Sequence, residues 1–199
     1  MAAYDDDKDD KPERTEQRPE SITEQLSFKS RFVFLFGDIN HTVARTTCER
    51  LVALAQQSDA PIRVLISSPG GHVESGDAIH DVIRFIGAPV TTIGTGWVAS
   101  AGTHIFLAAE KERPLCLPNT RFMIHQPAGG AGGPATDIAI QAKEILRTRE
   151  RIARSIAKQT GKTYEKVIAD MERDFWMSPK EAIDYGVVSR VIETYKDLN

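Results

Sequence analysis

From Ser21 onward, short apolar runs alternate with stretches whose apolar residues recur every three or four positions. Residues 31–37 (RFVFLFG), 61–67 (PIRVLIS) and 89–94 (PVTTIG) are short and bounded by turn-forming positions, which predicts buried strands. A fourth strand lies within 120–125. Between them, Ala44, Cys48, Leu51, Val52, Leu54 and Ala55 take helical spacing in 42–58, as do Ala78, Ile79, Val82, Ile83 and Ile86 in 74–86. Residues 99–109 predict a short, very apolar helix. Strands alternating with helices imply a parallel sheet with right-handed crossovers, an α/β fold.

The last third reads differently. Ile138, Ala142, Ile145, Ile152 and Ile156 mark one long helix over 136–160, with Glu150 and Arg154 able to pair across one turn. It is too long for a crossover alone and is expected to project from the body. Residues 164–171 predict another helix. Ser178-Pro179-Lys180-Glu181 is a helix start, with Ser at the N-cap, Pro at the first position and Glu at the third. Gly186 ends that helix and 187–192 closes as a strand. Residues 1–20 are polar, contain proline and lack any period, so a disordered acidic tail is expected ahead of a single domain over 21–199.

Composition narrows the functional classes. The 199 residues are 41% hydrophobic and 27% charged, enough for one sizeable core. The net charge is -3, and the first twenty residues, with eight acids and four bases, hold -4 of it. The remaining domain is near neutral, which argues against nucleic-acid binding. Two cysteines, Cys48 and Cys116, are too few for a disulfide framework and read as buried free thiols. No apolar leader or membrane-length run is seen, so a soluble cytoplasmic protein with no membrane contact is expected.

Four segments could carry chemistry. Ser68-Pro69-Gly70-Gly71 joins a strand to a helix; its free amides could stabilise an oxyanion, or it is only a tight turn. In Gly96-Trp97-Val98-Ala99-Ser100-Ala101-Gly102, a serine flanked by small residues opens an apolar helix, either as an exposed hydroxyl or as an N-cap. It differs from the G-x-S-x-G elbow, because Val98 stands two before the serine. His125 leaves a buried strand ahead of the Gly129–Gly133 loop, where it could act as a general base or rest as a core histidine. Asp174 precedes an apolar patch and could orient a histidine; Glu172 or Asp170 could fill the same role. His41, His72, His80 and His104 share no metal-ligand spacing with one another or with a cysteine, so no metal site is expected.

Taken in order, SSPGG (67–71), GWVASAG (96–102), PNTRFMIHQP (118–127) and RDFWMS (173–178) resemble the proteolytic subunit family of the Clp protease, ClpP. The likeness runs from about Arg31 to Ile192 and includes TDIAIQAKEIL (136–146). It implies a crotonase-like spiral of βαβ units, the head, with a handle helix over about 128–160. It implies a serine endopeptidase that cleaves unfolded polypeptides through an acyl-enzyme. Ser100, His125 and Asp174 would be its triad, with the Gly71 and Ala101 amides as oxyanion donors. Gly70, Trp97, Gln126, Pro127, Gly129 and Gly130 would contact substrate. The implied assembly is two stacked rings of seven copies, fed by a separate AAA+ unfoldase of the ClpX or ClpA type. No cofactor is implied, since ATP is used only by that partner and no phosphate-binding loop is visible.

The chain departs from the family at Ala101, where methionine is usual, and at Trp97. It also differs at Gly133-Pro134 after the glycine-rich loop, and at Arg63 and Leu65, where aromatics usually receive the unfoldase. These departures motivate a second reading, a paralogue without activity of its own that builds a mixed ring with an active sister. Acyl-CoA enzymes of the crotonase superfamily share the fold but need no serine–histidine pair.

Overall fold

The computed structural model describes residues 21–110, 113–130 and 132–198. The acidic segment 1–20, expected to be disordered, lies outside them. A capping box opens helix α1 (Ile22–Lys29), in which Ser21 and Glu24 each accept the other's backbone N–H. Strand β1 (Phe32–Phe36), helix α2 (His41–Gln57), strand β2 (Ile62–Ser68), helix α3 (Val73–Phe85) and strand β3 (Val90–Ala99) follow as two successive crossover units. The three strands pair in parallel. On β2, Ile62, Val64, Ile66 and Ser68 are buried while the alternate positions are partly open, the period of two that a pleated strand demands.

β3 is longer than expected. The expected strand stops at Gly94, yet the chain continues to Ala99, with a register irregularity between Ile66 and Ser68 of β2 beside it. This extension splits the sheet. The first half of β3 pairs with β4 (Pro114–Cys116) and the second half with β5 (Arg121–Ile124). Between β3 and β4 lies the short, wholly buried helix α4 (Ala101–Phe106).

After β5, the chain enters the 26-residue helix α5 (Ala135–Thr160). Residues 135–144 are exposed on every side, and only Ala153, Ile156 and Thr160 are buried, so the N-terminal half of α5 stands off the body. Glu150 and Arg154 pair at 2.7 Å across one turn. Helix α6 (Tyr164–Asp170) leads to β6 (Phe175–Met177), which pairs antiparallel with β5. This pairing departs from the all-parallel expectation. Helix α7 (Pro179–Tyr185) carries the expected capping box between Ser178 and Glu181, and Gly186 ends it in the left-handed conformation. The closing strand β7 is only Arg190–Val191, paired with β4. Val187 and Val188 send their amides back to the Ala182 carbonyl, closing the helix instead of joining the sheet. A 3-10 turn, Tyr195–Leu198, completes the described chain.

The core fills the space between sheet and helices, with Leu51, Leu54, Ile62, Val64, Ile79, Ile105, Phe106 and Phe122 fully buried. Arg31 is buried among backbone carbonyls; its guanidinium donates to Leu54, Ser58 and Ala60 at the end of α2. Cys116 is buried, and burial pushes its thiol up to about 11; Cys48 is only half-buried. Among the described residues, no helix is long and apolar enough to cross a membrane.

Candidate active site

Ser100 has to turn a strand into a helix within one residue, because β3 ends at Ala99 and α4 starts at Ala101. It does so at φ 56°, ψ -122°, a region that side-chain-bearing residues rarely adopt. The surroundings hold it there. Its N–H donates to the Met123 carbonyl at 2.9 Å, and Thr103 Oγ1 lies 2.8 Å from the carbonyls of both Val98 and Met123, sharing its one proton between them. Ser100 stands at the N-cap of α4, but its hydroxyl caps nothing. Instead, Oγ lies 2.8 Å from His125 Nε2.

His125 follows directly on β5, and its other nitrogen, Nδ1, is 3.0 Å from Asp174 Oδ1. A carboxylate only accepts, so Nδ1 carries the proton and Nε2 is free to accept from the serine hydroxyl. The antiparallel register explains the reach: Ile124 pairs with Phe175, so residues 125 and 174 leave the ladder side by side. Gln126 ties the two segments again, its amide donating to Met171 O at 2.7 Å and its side chain to Glu172 O at 3.1 Å. The competing acids are engaged elsewhere. Glu172 pairs with Arg149, and Asp170 accepts from Tyr185 and Lys166.

The Gly70-Gly71 turn packs against the serine. A Cβ at Gly70 would stand 2.6 Å from Ser100 Cβ and 2.9 Å from Ala99 O; one at Gly71 would stand 2.3 Å from Ile39 O. Their φ values of +98° and +144° independently favour glycine. Ile39 clamps the turn, donating to Gly70 O and accepting from His72 N–H. The amides of Gly71 and Ala101 donate to no carbonyl among the described residues.

Two hollows meet at this point. One is tight and largely apolar, lined by Ser100, His125, Pro127 and His104 among others. The second, of about 280 Å³, is bordered by Gly71, Pro127, Gly129, Gly130, Gln141 and Glu144. Gly70 packs against the serine and Pro127 lines its hollow, whereas Gly129 and Gly130 border the second hollow, which shares Val73 and Pro127 with the first. Trp97, half-exposed on β3, and Gln126, whose side chain is held by Glu172, line neither hollow. Thr103, which pins the serine turn, escaped sequence reading, though a hydroxyl residue three positions after Ser100 was a signal that could have found it. Among the described residues, no cluster of three His, Cys, Asp or Glu side chains is placed to hold a metal ion.

The profile of the Clp protease family matches residues 14–195. The chain belongs to the Clp protease family. It is 54% identical to the ATP-dependent Clp protease proteolytic subunit 2 of Gluconobacter oxydans, an alignment covering 97% of this chain and 91% of that one. It is 53% identical to proteolytic subunit 3 of Rhizobium johnstonii, over 98% and 99%. The solved structure of ClpP1 from Listeria monocytogenes superposes with a TM-score of 0.82 at 49% identity, covering 89% of this chain and all of that one. The Clp family assignment makes this chain a proteolytic subunit of the ATP-dependent Clp protease kind, a serine peptidase with the mixed α/β ClpP fold and its long helix α5.

Proposed function

We propose that Ser100, His125 and Asp174 are the catalytic triad of this Clp peptidase. The observation that carries the reading is the unbroken hydrogen-bonded line from Ser100 Oγ through both nitrogens of His125 to Asp174. Ser100 Oγ attacks the carbonyl carbon of the scissile peptide while His125 Nε2 takes its proton. The tetrahedral oxyanion accepts from the amides of Gly71 and Ala101. His125 then returns the proton to the leaving amine, and water cleaves the acyl-enzyme by the same route. Asp174 keeps the imidazole in the required tautomer and balances its charge when protonated.

The substrate is an unfolded polypeptide, bound extended along the hollow beside Gly129 and Gly130. The relatives are proteolytic subunits of ATP-dependent Clp proteases by name, which supports a separate ATPase that spends the ATP; our reading is an AAA+ unfoldase of the ClpX or ClpA type. The word subunit in those names supports an oligomer; our reading is two stacked seven-membered rings, of this chain alone or with a sister subunit, acting in the cytoplasm. The projecting half of α5 fits a contact between rings.

Fluorophosphonate labelling of the purified protein beside Ser100→Ala tests the triad. Labelling that disappears in the variant supports an activated serine. Absence of labelling in a folded, assembled parent sinks the self-sufficient enzyme and leaves the subunit that depends on an active sister.

A further inference from the structure

The tight hollow beside Ser100 has one polar wall. His104, one helical turn beyond the serine on α4, is only 5% exposed and lines the hollow together with Val73, Ile124, Pro127, Ile152 and Ile156. The free space is about 20 Å³, room for little more than one water molecule. When a peptide carbonyl sits at Ser100 Oγ with its oxygen on the Gly71 and Ala101 amides, the side chain of that same residue has to occupy this space.

The imidazole is not free to swing aside. Its Nε2 lies 3.0 Å from Asp77 Oδ1 on α3. Asp77 in turn is gripped by both terminal nitrogens of Arg151 on α5, at 2.6 and 2.7 Å. Burial works to raise the Asp77 carboxyl, but the hydrogen bonds from His104 and Arg151 hold it far below the usual range, so it stands as an anion that anchors both partners. The outer side of the ring is covered by His80, stacked at 4.3 Å between centroids and 5° from parallel. Three helices therefore fix one wall of the hollow.

We propose that His104, locked by Asp77 and Arg151, restricts cleavage to positions after small uncharged residues such as alanine and serine. The inference rests on Ser100 being the nucleophile. A leucine or phenylalanine has to displace part of the wall, and at His104 that breaks the bond to Asp77 and the stack on His80. A charged side chain enters walls that are mostly aliphatic and loses its hydration without a counter-charge. Alanine fits with no rearrangement.

The experiment uses the full chain in its assembled form and N-acyl tripeptide aminomethylcoumarins that differ only in the residue bonded to the coumarin. Fluorophosphonate labelling is run in parallel. The parent is expected to hydrolyse the Ala and Ser substrates with kcat/KM at least about tenfold above Leu and Phe, the scale that misfit in an enclosed apolar pocket commands. His104→Ala should raise the Leu-to-Ala ratio within the same preparation by about tenfold. Asp77→Asn, which leaves the pocket wall in place but loosens it, should raise that ratio less. A parent that cleaves Leu or Phe as well as Ala overturns the inference, as does one that labels but ignores Ala and Ser; in both cases the serine peptidase stands. Two folded variants that keep the parental ratio also overturn it. A parent that neither labels nor cleaves any substrate removes the triad reading, and this inference with it.

Discussion

A methyl group added at Gly70 has nowhere to go. Its carbon would lie 2.6 Å from Ser100 Cβ, 2.9 Å from Ala99 O and 3.1 Å from Ala101 N. Ordinary carbon contacts sit near 3.5–4.0 Å, so roughly 1 Å has to open between the turn and Ser100. The obstructing atoms are backbone or the first side-chain carbon, which cannot rotate away. The φ of +98° adds a backbone cost of about 1–3 kcal/mol for any residue with a Cβ. With a misfit of about 1–3 kcal/mol included, Gly70→Ala should lose about 2–6 kcal/mol of stability, read as a melting point lower by roughly 4–24 °C. The larger effect is catalytic. Gly71 N–H moves with the turn, and an oxyanion donor acts only when about 2.7–3.1 Å from the developing charge. Losing one such donor costs about 10²–10³ in kcat. The assay is single-turnover and steady-state hydrolysis of the best coumarin substrate, beside a thermal melt that establishes the fold. A folded Gly70→Ala protein with kcat within about threefold of the parent would refute the assignment of the Gly71 amide as a donor.

Other parts of the structure make equally direct claims. Asp174→Asn should leave the melting point nearly unchanged, since the carboxylate is 62% exposed, yet lower kcat by about 10²–10⁴ through loss of the correct imidazole tautomer. Asp77 is held below its ordinary carboxylate value, so its contribution to stability is present above about pH 4 and is lost as pH falls towards the folded value. The melting-point gap between parent and Asp77→Asn should therefore hold constant from pH 7 to about pH 5 and narrow from there down to pH 3. Arg31→Ala strips donors from the carbonyls of Leu54, Ser58 and Ala60 and should cost about 2–4 kcal/mol in urea unfolding. Burial raises the Cys116 thiol to about 11, so at pH 8 iodoacetamide should modify it only on unfolding; rapid modification of the folded protein would contradict its burial.

What could be read from the residues follows from how far each signal reaches along the chain. β1, β2, α2, α3 and α5 announce themselves because apolar residues recur with one period over five or more positions of the sequence, and their ends fall within one or two positions of the expectation. β4 and β6 have three residues each, too few to show any period, and β7 has two. α1 escaped notice because none of its residues is buried, so it carries no apolar stripe. The same reasoning explains the site. Ser100 and His125 could be named from local context, a serine at a strand-to-helix turn and a histidine leaving a buried strand. Asp174 could not be told from Glu172 or Asp170 by any local rule. The choice is made by the antiparallel pairing of β5 with β6, a contact across roughly fifty residues that periodicity had pointed away from, and by the prior engagement of Glu172 with Arg149 and of Asp170 with Tyr185. Trp97 also stands within three positions of Ser100 in sequence, yet it lies half-exposed on β3 and lines neither of the two hollows beside the serine, so nearness along the chain selects a segment and the fold decides which of its residues border those hollows.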